Sequence, residues 1–341
     1  MRRWWVWCGV LLLVVVGASA GWWFGGGYER WQDGRSLRGL CGGAVDTGEV
    51  PDVLGGSGRL KGTDRGGSEN WLARCTVGTS DRSGLLSVDI GWGESAAGES
   101  LSGLSWTEPA RTRGQWVAPL GAGWTGVVTT GRTPPAVVLA LPCTGPSAGK
   151  HLVVSTRVLL DVPEKDAADP QESPETRAGL GRITVRTAER ASARWNCGAV
   201  FGARIERVPG AESRTRADAG TEGGSCAGVP GPVGEGPADA KAPIENCTAL
   251  RADDTRQVSF ELTAFQPPFA QGMRTFLGPA AARPGPGTSG ELRWATASCP
   301  TGEALYLLRT RAQDRTPAAD ALAGFARRSA ERHGCEAPRL P

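Results

Sequence analysis

Eight cysteines lie downstream of an apolar leader and recur as two quartets with matching surroundings: Cys41, Cys75, Cys143 and Cys197, then Cys226, Cys247, Cys299 and Cys335. Eight cysteines allow on the order of a hundred pairings, and spacing alone does not choose among them. An internal repeat narrows the field. The stretch Ala188 to Cys197 lies without a gap against Ala326 to Cys335, with Ala188, Arg190, Arg194 and Cys197 matching Ala326, Arg328, Arg332 and Cys335. Upstream, Val137 to Cys143 followed by His151 to Arg157 reads as a hairpin, and so does Leu292 to Cys299 followed by Ala304 to Arg309. Cys143 therefore matches Cys299. Cys75 precedes the strand-like run Leu85 to Ile90, and Cys247 precedes the period-2 run Val258 to Phe265. Cys41 and Cys226 remain, each followed by a Gly-rich turn. The simplest pairing is sequential within each unit: Cys41 to Cys75, Cys143 to Cys197, Cys226 to Cys247 and Cys299 to Cys335. In the chain-entropy description each bridge contributes roughly 3 to 4 kcal/mol.

Disulfides require an oxidising compartment, and the N-terminus supplies a route to one. Met1-Arg2-Arg3 precedes an uncharged run from Trp4 to Tyr28, centred on Val10 to Val16. An apolar run above ~18 residues is long enough to span a bilayer. Trp4, Trp5 and Trp7 at one end and Trp22 and Trp23 at the other suit the two interfacial belts, and Arg2 and Arg3 hold the N-terminus in the cytoplasm. A signal peptide cleaved after Ala20 is the rival reading, since Ala18-Ser19-Ala20 fits the small-x-small pattern. The anchor is preferred because the apolar run continues through Trp22-Trp23-Phe24. Either way the body is exported. Cys8 precedes the apolar core and reads as a membrane-buried small hydrophobe, not a lipidated cysteine.

The expected fold is α+β: two related units, each several antiparallel strands followed by one helix, stapled by disulfides, after an N-terminal transmembrane helix. Residues 1–30 form the anchor, 31–208 the first four-cysteine unit and 209–341 the second. Ser173-Pro174-Glu175 opens the first helix, a hydroxyl N-cap followed by Pro at the first helical position, and Thr316-Pro317 opens the second the same way. Leu180, Ile183, Thr187, Ala188, Ala191 and Trp195 share one face of the first helix. Leu322, Phe325, Ala326, Ser329 and His333 share one face of the second. Residues 211–224 and 231–243 read as polar, Gly/Pro-rich connectors, residues 161–174 as an acidic loop, and residues 278–290 as a Pro/Gly loop. Trp106, Trp116 and Trp124 read as strand-face packing groups.

Catalytic motifs are missing from the sequence. Gly55-Gly56-Ser57-Gly58 lacks the spacing of a nucleophile elbow, and no phosphate-binding glycine loop follows a strand. His151, at a strand start, and His333, on a packed helix face, are the two histidines, and both read as structural. With no C-x-x-C pair, neither a metal nor a cofactor is expected. Asp253-Asp254 reads as a solvated turn, because neighbours on an extended chain point to opposite faces. Asn246-Cys247-Thr248 matches a glycosylation sequon, weakened by the bridged cysteine inside it. The net charge is +3 with both signs interspersed, so no nucleic-acid partner is expected. Catalytic residues stay unassigned.

The Arg-Arg-Trp-Trp leader, Leu40-Cys41-Gly42-Gly43, Ala140-Leu141-Pro142-Cys143, and the helices ending at Trp195-Asn196-Cys197 and His333-Gly334-Cys335 resemble secreted or single-pass membrane-anchored actinobacterial proteins, streptomycete-like in composition. Scarce lysine beside abundant Arg, Gly, Ala and Pro fits that resemblance. It implies export and carries no activity. The expected function is a non-catalytic envelope ectodomain, tethered to the membrane by its N-terminal helix, that binds a protein or cell-wall partner. The alternatives are an extracellular hydrolase using carboxylates brought together only by folding, and an accessory or sensor subunit of a membrane complex. Non-reducing peptide mapping of the exported chain is expected to return four linkages, none crossing between units.

Overall fold

The computed structural model describes residues 34–341 except 36, 56–58, 69, 82, 104–115, 131–134, 161–172, 211–212, 256, 280, 282 and 311–316. The expected membrane anchor and Cys8 lie outside the described residues. Among the described residues no helix is long and apolar enough to cross a membrane.

Two antiparallel seven-stranded sheets account for most of the body, and the class is α+β. The first half contains β1 (Leu60–Gly66), β2 (Trp71–Thr79), β3 (Gly84–Trp92), β4 (Trp116–Pro119), β5 (Gly126–Thr130), β6 (Ala136–Pro142) and β7 (His151–Leu160). The second contains β8 (Thr215–Ala217), β9 (Val233–Glu235), β10 (Ile244–Leu250), β11 (Val258–Phe265), β12 (Gly287–Ser289), β13 (Leu292–Cys299) and β14 (Gly302–Thr310). The sheet orders are β1-β2-β3-β7-β6-β5-β4 and β12-β13-β14-β11-β10-β9-β8. Aligned on their cysteines, β1-β2-β3-β7-β6-β5 corresponds position for position to β9-β10-β11-β14-β13-β12. Each half adds one edge strand of its own, β4 or β8.

The helices are α1 (Val50–Val53), α2 (Gly93–Gly103), α3 (Pro174–Arg194), α4 (Phe269–Phe276) and α5 (Pro317–Arg332). The expectation of strands followed by a single helix is corrected here. Each half carries a second helix, α2 or α4, between its third strand and its hairpin. The sequence signal of α2 is weak: it reads Gly-Glu-Ser-Ala-Ala-Gly-Glu-Ser-Leu-Ser-Gly, and glycine inside a helix costs about 1 kcal/mol relative to alanine. The 211–224 and 231–243 connectors also contain structure, since β8 and β9 lie in them. Glu235 of β9 is buried and accepts hydrogen bonds from the backbone N–H groups of Thr221 and Cys226.

The alternation of each strand divides its residues between two apolar layers. On the outer face of the first sheet, Val77, Val88, Ile90, Leu139 and Val154 pack on Leu180, Ile183 and Ala188 of α3. On the outer face of the second, Leu262, Tyr306 and Leu308 pack on Leu322, Phe325 and Ala326 of α5. The inner faces share a third core. Val138, Ala140 and Val153 from one sheet meet Phe265, Trp294, Leu305 and Leu307 from the other, around Ala96, Leu101, Phe269 and Met273 of α2 and α4. β6 is apolar on both faces, and Ala136 through Leu141 are all buried.

All four disulfides join the partners expected from the repeat: Cys41–Cys75, Cys143–Cys197, Cys226–Cys247 and Cys299–Cys335. Ser173 caps α3, accepting from the Thr176 N–H at 3.0 Å. Both outer helices end in the same way. Asn196 (φ 53°) and Gly334 (φ 65°) take the left-handed conformation. The next N–H, of Cys197 or Cys335, then reaches back to the carbonyl of Ser192 or Ala330, at 2.9 Å in both cases. That turn delivers each cysteine to the hairpin on which its helix lies. Ahead of the first sheet, the segment carrying Cys41 is clamped to α3 by Asp46 with Arg190 (2.7 Å) and by Glu49 with Arg182 (2.6 Å).

In the middle core α2 crosses α4 at two glycines. A Cβ placed on Gly272 would lie 2.7 Å from the Cα and N of Gly98, and one on Gly98 would lie 3.3 Å from the Gly272 Cα. Real side chains do not approach backbone as closely as the first distance. G272A is therefore expected to lower the free energy of unfolding by about 1 to 3 kcal/mol through overpacking, despite the helix propensity gained, and G98A to cost less. Urea unfolding of the full chain followed by tryptophan fluorescence measures both.

Candidate functional site

On the inner face of the first sheet, beside α2, seven residues line a pocket of about 280 Å³: Trp71, Arg74, Asp89, Glu99, Ser100, Ser155 and Arg157. Strand geometry places them. In β2, Ala73, Cys75 and Val77 face α3, so Arg74 points to the other side. A register shift between Trp71 and Ala73 brings Trp71 into the inner core as well. In β7, Val154 and Val158 face α3, while Val153, Ser155 and Arg157 face inward. Asp89 pairs with Ser155 across β3 and β7.

Most of this polar set is internally matched. Arg74 Nε donates to Asp89 Oδ1 at 2.9 Å, and its guanidinium lies 5.1 Å from the Trp71 ring centre. Trp71 Nε1 donates to Glu99 Oε2 at 2.6 Å, and Arg74 Nη1 stands 3.8 Å from the same oxygen. Ser100 Oγ donates to the Ala96 carbonyl at 2.8 Å. With Arg74 and Glu99 both well exposed, their ion pair is worth under about 1 kcal/mol. Arg157 differs. Its Nε is buried and has no hydrogen-bond partner among the described residues.

The second half places a polar cluster on the opposite face of its sheet, under the C-terminal end of α5. Glu245, with a side chain 2% exposed, accepts from Arg332 Nη1 at 2.7 and 3.0 Å and lies 3.0 Å from His333 Nε2. Tyr306, Gln266 and Ser329 are buried near the Cys299–Cys335 bridge, and Ser329 Oγ has no partner among the described residues. Burial pushes the Tyr306 phenol above its ordinary range, with the Glu245 charge adding to it. The repeat alignment gives the equivalents in the first half as Ala73 for Glu245, Val154 for Tyr306, Ala191 for Ser329 and Trp195 for His333. The same position in the fold is apolar in one half and ionic in the other. The Glu245 carboxylate is closed to solvent, whereas the groove of the first half is open.

The residues singled out from sequence separate clearly. Each of the eight cysteines is bridged. His151 sits at the start of β7, and burial holds its imidazole below the ordinary range. His333 belongs to the Glu245 cluster. Asp253 is exposed and bonded by Arg251, whose side chain lowers its carboxyl pKa, and Asp254 accepts from Gln257. Trp124 is buried and donates to the Ala203 carbonyl at 2.8 Å. Trp106 lies outside the described residues, and Trp116 begins β4. Among the described residues no group of three His, Cys, Asp or Glu is placed to hold a metal ion. The groove residues were not singled out from sequence. The available signal was Ser155 and Arg157 at alternate positions of a largely apolar strand.

Comparison with known proteins adds no identity. No family model matches the chain, and no curated protein matches it. Among solved structures, the crystal structure of DynU16, a protein in the dynemicin biosynthetic locus, aligns over 88% of each chain at 8% identity with a TM-score of 0.15. Nothing about fold or activity is carried over from it.

Removing the Glu245 carboxylate leaves Arg332 and His333 facing a buried void. E245A is expected to destabilise the chain by about 3 kcal/mol, as breaking a buried ion pair does. The equivalent substitution in the other half, A73G, is expected to cost about 1 kcal/mol. Denaturant midpoints of the two variants check the asymmetry.

Proposed function

We propose that this chain is a membrane-tethered extracytoplasmic ectodomain that works by recognition, not by turnover. Four disulfides support the compartment, since bridges of this number persist in oxidising surroundings. The run Trp4 to Tyr28 supports the tether. One observation carries the choice of recognition over catalysis: in the open groove the two carboxylates, Asp89 and Glu99, are engaged by Arg74 and Trp71. A hydrolase of the carboxylate type needs one carboxyl to act as acid and its partner as base or nucleophile. Here both serve to hold side chains in place. A protein or cell-wall partner is the expected ligand, reached from a scaffold whose strand and helix ends are stapled.

Labelling of intact cells with a membrane-impermeant maleimide tests this. The chain is expected in the membrane fraction, with the eight downstream cysteines reacting from outside only after reduction. Recovery from the cytosol with free thiols overturns the proposal. Recovery from the medium with an N-terminus at Gly21 overturns the tether and leaves the compartment standing.

A further inference from the structure

We infer that Arg157, with Ser155 beside it, forms a binding site for a carboxylate group at the floor of the first-sheet groove; the inference rests on reading that groove as a recognition surface. Arg157 makes no hydrogen bond or ion pair among the described residues, and its Nε is shut off from solvent. A guanidinium stays charged at any physiological pH, so it cannot escape desolvation by losing a proton. A buried donor left unsatisfied in this way is costly, the more so when it is charged. An acceptor entering the pocket meets this guanidinium with no competing partner among the described residues.

The surroundings leave room for that acceptor. The cross-strand neighbours of Arg157 are Ser87 on β3 and Ala136 on β6, both small. Ser155, 5% exposed, lines the same pocket two residues earlier on the same strand face. The pocket volume, about 280 Å³, is at the small end for ligand sites, which suits a small acid or the terminus of a longer chain.

Charge selects among oxyanions. Four charged groups line the pocket: Arg74, Asp89, Glu99 and Arg157. Arg74 is already shared between Asp89 and Glu99. A carboxylate brings one negative charge and matches Arg157 with two parallel N–H···O bonds. A phosphate near neutral pH brings close to two charges and would face both acidic side chains. The geometry thus favours a carboxylate over a phosphate.

Calorimetric titration of the full chain in detergent, at pH 7 and low salt, tests the site with acetate, succinate and inorganic phosphate as probes. Acetate and succinate are expected to saturate with dissociation constants in the millimolar range and to raise the melting temperature. R157Q is expected to weaken both at least tenfold, R157K to fall between, and S155A to weaken them severalfold. R157Q should melt no lower than the wild type, because it removes an unsatisfied charge; that melting curve also shows whether the variant is folded. No saturable binding of either carboxylate, or equal binding by R157Q, overturns the inference. Tighter binding of phosphate than of acetate overturns the choice of carboxylate. None of these outcomes touches the compartment measured by cysteine labelling, so the two readings fail separately.

Discussion

Between the two sheets, Gly98 of α2 meets Gly272 of α4 with no side chain separating the helix backbones. That contact sets the thickness of the middle layer. Each sheet already has an outer helix covering one face, but its inner face carries residues such as Val138, Val153, Phe265 and Leu305. Left open, those faces would present an apolar area large enough to drive association. A pair of helices small enough to cross closely fills the space and lets the inner faces share one core. Larger side chains at the crossing would push the sheets apart and open voids along the whole layer, because interiors are packed near crystal density. The groove depends on the same contact, for Glu99 and Ser100 follow Gly98 directly on α2.

The two halves share a skeleton and differ in where they place polar groups. The first half places Ala73, Val154 and Ala191 under α3, where the second half has Glu245, Tyr306 and Ser329, and opens a polar groove on its inner face. The second half buries Glu245, Tyr306 and Ser329 under α5, while Phe265, Leu305 and Leu307 of its inner face enter the middle core. The disulfides make this divergence tolerable. Cys143–Cys197 and Cys299–Cys335 hold the end of each outer helix to its hairpin whatever packs beneath it. In the second half the ionic cluster sits directly beside that staple, so the cost of burying Glu245 is met by Arg332 and His333 at a point where the backbone has little freedom to relax.

Exchange of partners within the groove explains why one cation stands apart. Arg74 is held by Asp89, Glu99 and the Trp71 ring, a set in which every member orients another. Arg157 shares their pocket but lies on β7, on the far side of Asp89, and its neighbours Ser87 and Ala136 offer no acidic group. Moving the charge one position along β7 would turn the guanidinium to the opposite face, into the apolar core against α3. The strand register therefore both strands the cation and aims it into the pocket.

Some of this structure is legible in the amino-acid order. The cysteine quartets, the hairpins β6–β7 and β13–β14, and the outer helices with their buried faces follow from spacing, period and capping, which are local or repeat along the chain. The helices α2 and α4 are not legible: in α2 the glycine that allows the close crossing weakens the helical signal, and α4 is only 8 residues long. The groove is not legible either: Trp71, Arg74, Asp89, Glu99, Ser155 and Arg157 come from three strands and a helix, and nothing local links them. The sequence by itself determined the staples, the class and the outer layers, where the interactions join neighbours or repeat-mates. Only the tertiary structure decided how the inner faces meet and which charge is left without a partner among the described residues, since both depend on distances between segments that the chain order does not encode.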